Sequence, residues 1–178
     1  MVADWQSVVD RLSSVGPATA YVGFSMGAVF GFPVVASLPT IAASVFIAGG
    51  IPGHDWTDDP ALEPLLIDTA SRLGRTHVLM LNREDDELFP AQDARRLYDS
   101  IVATSKELLF SPGSHDEWHV DLIDTSVNFL NERGAAAGSW QRERCHSDNV
   151  SGGDERGLSN PERPAAALIR SAANDLDA

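Results

Sequence analysis

One cysteine, thirteen basic side chains against twenty-six acids, and no apolar run of membrane-spanning length set the first limits on this 178-residue sequence. The lone Cys145 has no intrachain disulfide partner and stands in a polar stretch without a Cys/His set at metal-ligand spacing, so neither an oxidising compartment nor a bound metal is expected. The shortage of Lys and Arg leaves a formal net charge of -13, which repels a nucleic-acid backbone and an anionic membrane surface alike. No nucleic-acid or membrane partner is expected. The opening Met-Val-Ala-Asp-Trp-Gln has no basic stretch followed by an apolar run, and nothing approaches the roughly 20 apolar residues that cross a bilayer, so the expected location is cytoplasmic. No internal repeat is visible. A hydrophobic fraction of 43% with 22% charged residues suits a globular domain with a core.

What is present is alternation. Trp5, Val8, Val9 and Leu12 fall at i, i+3, i+4 and i+7 behind Asp4, whose carboxylate suits a helix N-cap, so an amphipathic helix is expected to end near Gly16-Pro17. Ala20 to Phe24 reads as a short buried strand, and Ser25-Met26-Gly27 opens a helix to Ala36 that Pro33 and nearby glycines make imperfect. Ile41 to Ala48 is a second strand, stopped by Gly49-Gly50, before a Pro, Gly and Asp-containing loop from Ile51 to Pro60. Leu62, Leu65, Leu66, Thr69 and Leu73 form a helical face. His77 to Leu81 is a third strand, Ala91 to Val102 a helix facing inward through Ala94, Leu97, Tyr98 and Ile101, and Glu107 to Phe110 a fourth strand. A last helix runs from Glu117 to Asn131 with Leu122, Val127 and Leu130 as core contacts.

Short, uniformly apolar strands alternating with helices predict an α/β fold over residues 1–133, a mostly parallel sheet with helices on both faces. From Gly134 the composition turns to Ser, Gly, Asn, Asp, Glu and Arg. Residues 134–178 are expected to form a disordered tail, because they bury too little apolar area to offset the entropy of ordering, with one marginal helix from Pro164 to Leu176.

Within this pattern Gly23-Phe24-Ser25-Met26-Gly27 stands where a strand runs directly into a helix. A serine in that turn is thrust out at the C-terminal edge of the sheet, and glycines two residues to either side let neighbouring backbones approach without a Cβ clash. The helix N-terminus offers free N–H groups, so an oxyanion beside Ser25 would be stabilised by the N–H of Met26. The plainer reading is a small-residue turn with no chemistry; the buried strand before it and the helix after it favour the functional one.

A serine hydroxyl needs an adjacent base, and the base a carboxylate to fix its tautomer. Asn82-Arg83-Glu84-Asp85-Asp86-Glu87-Leu88-Phe89-Pro90 carries four acids after the third strand. Asp86 is the candidate, because it directly precedes the Glu-Leu-Phe-Pro turn back onto the core; Asp85 is the runner-up. A charge run alone is usually a solvated loop. After the fourth strand, Ser111-Pro112-Gly113-Ser114-His115 turns sharply and leaves His115 at the same sheet edge. His119 competes as base, although a helical histidine is more readily a surface or packing residue. His54, His77 and His146 lack any such context.

Ser, Asp and His in this chain order, each behind its own strand, resemble the α/β-hydrolase superfamily and within it the dienelactone-hydrolase-like and esterase-like members. The matching stretches are Tyr-Val-Gly-Phe-Ser-Met-Gly at 21–27, Asp-Asp-Glu-Leu-Phe-Pro at 85–90 and Ser-Pro-Gly-Ser-His at 111–115, within a resemblance over residues 4–132. The resemblance implies Ser25 as nucleophile, Asp86 as orienting acid, His115 as base and Met26 as one oxyanion donor, with no metal or organic cofactor. Members with cysteine at the nucleophile position use a thiolate; serine points to ester chemistry. The short loop 49–60 implies an open site that Trp56 and His54 could line.

The family places several strands before the nucleophile strand, with a His-Gly or Gly-Gly loop among them giving a second oxyanion N–H. No such segment precedes Asp4, so the chain is expected to correspond to the C-terminal half or so of a domain, truncated at its N-terminus and lacking the first strands. The nucleophile strand then forms an exposed apolar edge, which a homodimer through that edge would cover. Three readings compete: a minimal hydrolase that dimerises, a misassigned start or gene remnant, and a non-catalytic descendant. The expected function is hydrolysis of a small-molecule carboxylic ester or lactone through an acyl-serine. It is expected to be weak, because loss of one oxyanion donor costs on the order of 10² to 10³ in rate. The rival is an inactive fragment or interaction scaffold.

Overall fold

Four apolar segments form four parallel strands, connected by helices. The computed structural model describes residues 2–12, 20–53, 59–117, 120 and 122–133. The expected tail at 134–178 with its marginal helix, His54 and Trp56 of the loop, His119, Cys145 and His146 lie outside the described residues. In order come α1 (Val2–Leu12), β1 (Ala20–Phe24), α2 (Met26–Ser37), β2 (Ala43–Ile47), α3 (Leu62–Ala70), β3 (His77–Arg83), α4 (Ala91–Ser100) and β4 (Ser105–Ser111). A further helix, α5, covers 122–133.

The sheet order is β1-β2-β3-β4, all parallel, with Phe24, Ile47, Leu81 and Leu109 in register across it. Strand residues alternate between faces. Phe46, Val78 and Met80 face α2, α3 and α4 through Phe32, Leu66 and Leu97, while Val45, Ile47, Leu79 and Leu81 meet Leu122, Phe129 and Leu130 of α5. Helices thus cover both faces, which is why β2 and β3 are buried nearly throughout. The most enclosed helix is α2, with Ala28, Val29, Phe32, Val34 and Val35 buried and the Phe32 ring stacked 4.1 Å from that of Phe46. A helix apolar around its whole circumference belongs in a core. Pro33 lies inside α2 without ending it.

Several details differ from the sequence expectation. Since α1 begins at Val2, Asp4 sits in its first turn and is not its N-cap. Trp5 and Val8 remain exposed, with Trp5 edge-on to Tyr21 at 6.3 Å, and Val9 supplies the contact with the core. On α3, Leu65 is exposed while Leu73, beyond the helix end, is buried. On α5, Phe129 is buried where Val127 is only half-buried, because Phe129 lies with Leu122 and Leu130 against the sheet. The fourth strand is not buried throughout: as the last strand of the sheet it leaves Glu107 and Leu109 exposed. At the opposite end β1 pairs, among the described residues, with β2 alone, and Val22 is 43% exposed there, the open edge anticipated for the nucleophile strand. Among the described residues no helix is long and apolar enough to cross a membrane.

Candidate active site

The turn from β1 into α2 is sharp enough to place Ser25 at φ 51 and ψ -114, in the left-handed region that non-glycine residues avoid. Such backbone costs about 1–3 kcal/mol and persists only when its surroundings over-determine it. Here the Ser25 N–H donates to the carbonyl of Ile47 at 2.9 Å, the Ser25 carbonyl accepts from Val29 N–H at 3.0 Å, and the Tyr21 hydroxyl donates to the Gly27 carbonyl at 2.7 Å. The two motif glycines are not equivalent. A Cβ on Gly23 would lie 2.4 Å from the Gly27 carbonyl oxygen, whereas a Cβ on Gly27 would meet no atom within 4 Å. Close approach therefore requires glycine at 23 alone, a correction to the symmetric expectation. The bond from Val29 to Ser25 is the first to close α2, so the N–H groups of Met26, Gly27 and Ala28 precede it and have no acceptor within the helix.

Asp86 stands in the turn after β3. Its Oδ1 accepts from the N–H groups of Leu88 at 2.9 Å and Phe89 at 2.8 Å, and its Oδ2 lies 2.9 Å from Nδ1 of His115. The side chain is fully buried, as is Phe89, while Asp85 is exposed and uses its backbone N–H on the Gly113 carbonyl at 3.2 Å. Of the two candidate acids, Asp86 is the one whose carboxylate reaches His115. His115 is buried, with Phe24 stacked on its ring at 5.6 Å and Phe89 tilted at 5.5 Å, and its Nε2 lies 3.0 Å from Ser25 Oγ. A carboxylate only accepts, so Nδ1 carries the proton, and in the neutral imidazole the Nε2 lone pair faces the serine hydroxyl.

The site thus brings Ser25, His115 and Asp86 into one hydrogen-bonded line at the C-terminal ends of β1, β4 and β3, with Met26 next to the serine. A hydroxyl in this arrangement can lose its proton to the imidazole as it attacks an electrophile. No family profile and no curated protein sequence matches this chain. Solved structures do. A cold-adapted esterase from an Arctic intertidal metagenomic library superposes with a TM-score of 0.64 and 26% identity, over 74% of this chain and 57% of that one.

This chain has an esterase-like α/β-hydrolase fold. Esterase Pf2001 of Pyrococcus furiosus (TM-score 0.58, 15% identity, 75% of this chain and 62% of that one) shares the fold. So does acetyl xylan esterase 1 of Thermoanaerobacterium sp. JW/SL YS485 (TM-score 0.59, 14% identity, 74% and 51%). The chain spans little more than half the length of these esterases.

Two residues at the sheet edge of this α/β-hydrolase fold were not singled out from the sequence. Glu87 accepts from the His115 backbone N–H at 3.3 Å; its own backbone N–H, then that of His115, hold its carboxyl below the ordinary value. Arg83 is buried and its guanidinium donates to Ser111 Oγ at 2.5 Å, to the Pro112 carbonyl at 3.3 Å and to the Glu117 carbonyl. The available signal was polarity ending an apolar strand: Asn82, also buried, donates to the Gly49 carbonyl at 2.8 Å and ties β3 to the segment after β2. Among the described residues no three His, Cys, Asp or Glu side chains group as a metal site.

Proposed function

We propose that the chain hydrolyses small carboxylic esters or lactones through an acyl-serine intermediate. His115 takes the proton of Ser25 as Oγ attacks the ester carbonyl, and Asp86 holds the imidazole in the tautomer that can do so. The tetrahedral oxyanion accepts from the N–H of Met26 at the start of α2. His115 then protonates the departing alcohol, and water, deprotonated by the same imidazole, releases the acid. The observation that carries this reading is the unbroken line from Ser25 Oγ through His115 to Asp86, at 3.0 and 2.9 Å. The structural neighbours that are themselves esterases support the substrate class.

The test is turnover of a short-chain chromogenic ester by the purified chain beside its Ser25→Ala variant. Removal of a triad nucleophile in a serine hydrolase costs up to about 10⁶ in kcat, so Ser25→Ala is expected to fall to the background rate. Equal rates from the two proteins would reject the proposal and leave the inactive fragment or non-catalytic scaffold.

A further inference from the structure

We infer that Arg83 is a positioning residue for His115, a reading that rests on the hydrolytic function proposed above. His115 reaches Ser25 from the far side of the sheet: its segment follows β4, while Ser25 leaves β1, with β2 and β3 between them. No strand ladder connects the two groups directly. Their 3.0 Å approach depends on where the segment 111–117 lies over the ends of the strands.

Most ties on that segment come from the five consecutive residues 83–87. Glu84 N–H donates to the Ser111 carbonyl at 3.0 Å and Asp85 N–H to the Gly113 carbonyl at 3.2 Å. Glu87 accepts from His115 N–H at 3.3 Å and Asp86 holds the ring. All of these act at or before His115. Arg83 alone in this group acts on both sides of it, since Nη1 donates to Ser111 Oγ and the Pro112 carbonyl while Nη2 donates to the Glu117 carbonyl.

The register explains the reach. Arg83 pairs with Ser111 on the last rung of β3 and β4, so its side chain starts where the ladder stops and the irregular segment begins. The residue is 2% exposed, and its three acceptors are neutral oxygens. A buried cation with neutral acceptors is a costly way to gain stability. What the guanidinium supplies is a rigid planar fork whose two nitrogens reach acceptors on opposite sides of His115, a span that the single nitrogen of a lysine ammonium lacks.

The test uses Arg83→Lys and Arg83→Met in the full chain, with thermal unfolding to establish that each folds. Misplacing a catalytic group by about 1 Å costs on the order of 100-fold, so kcat for a short-chain ester is expected to fall about 10- to 100-fold in both variants. KM is expected to stay within about twofold, because the loss lies in the transition state and not in binding, and lysine is expected not to rescue. The downfield proton NMR signal of His115 Nδ1–H, assigned by its loss in His115→Gln, is expected to broaden or vanish in Arg83→Lys. A folded Arg83→Lys with kcat within about twofold of wild type overturns the inference. So does failure of both variants to fold, which makes Arg83 a folding determinant. Should the wild-type chain show no Ser25-dependent turnover, the proposed function fails, and the NMR signal decides alone: unchanged in Arg83→Lys it overturns the positioning role, broadened it supports it.

Discussion

Alanine at Gly23 and alanine at Gly27 make a paired experiment on a motif that reads symmetrically. A Cβ at position 23 would lie 2.4 Å from the Gly27 carbonyl oxygen, 2.6 Å from its carbon and 2.8 Å from the Tyr21 ring. None of these atoms yields cheaply: Gly27 is backbone of the core helix α2, and the Tyr21 ring is held by its hydroxyl bond to Gly27 and by contacts with Trp5 and Phe46. Relief requires β1 and α2 to separate at the turn that holds Ser25. Overpacking of this kind costs about 1–3 kcal/mol, and at about 4 °C per kcal/mol for a domain of this size Tm falls by about 4–12 °C. A displacement of Ser25 by about 1 Å from Nε2 of His115 lowers kcat/KM about 100-fold. Alanine at position 27 enters open space on a helix, where it is favoured over glycine by about 1 kcal/mol, so Tm is expected to hold or rise by about 4 °C. Circular-dichroism melting and ester turnover read both variants. The reasoning is refuted if Gly23→Ala melts with the wild type, or if Gly27→Ala is destabilised as much as Gly23→Ala.

Asp86→Asn keeps an oxygen for the Leu88 and Phe89 N–H groups but sets an amide donor against Nδ1 of His115, turning the imidazole to its other tautomer. The expected result is a kcat about 10⁴-fold lower with Tm little changed, and near-wild-type turnover would count against the assigned role of Asp86. Phe32→Ala removes a fully buried ring stacked on Phe46 and is expected to cost about 3–5 kcal/mol in urea unfolding; a loss below about 1 kcal/mol would show that α2 repacks. Burial first, and the charge of Arg133 second, hold His77 below its ordinary value of 6.5. The unfolded chain then binds the proton more readily, so this contribution to stability is present above 6.5 and is lost as pH falls through the lower folded value. Urea unfolding of wild type and His77→Gln at several pH values is expected to show a shallower acid-side decline in the variant; parallel declines would dismiss the assignment.

The two central strands were legible because a strand covered on both faces must be apolar throughout, and β2 and β3 are. The end of β3 was not, since Asn82 and Arg83 look like the start of a loop until their hydrogen bonds to Gly49 and the 111–117 segment are seen. Asp86 was distinguishable from Asp85 through the apolar Leu-Phe-Pro that follows, because burying Phe89 carries the adjacent carboxylate inward. On α1 the periodicity of Trp5 and Val8 implied burial, yet both are exposed, since periodicity records which residues share a face and not whether another element covers it. The unequal roles of Gly23 and Gly27 depend on which backbone lies across the turn, a tertiary fact that the five-residue pattern does not encode.

The strand order gives the site an unequal mechanical footing. Asp86 and His115 rise from β3 and β4, neighbours in chain and space that share seven register pairs and the bonds between their loops. Among the described residues, Ser25 rises from the rim of the sheet, on a strand with five register pairs to a single neighbour. Partial opening of such a strand costs less free energy than global unfolding. The line of three groups therefore comes apart first at the serine, while acid and imidazole stay joined. Whatever reaction the site performs, its working temperature has a ceiling below the melting point of the fold, and that ceiling is set by β1.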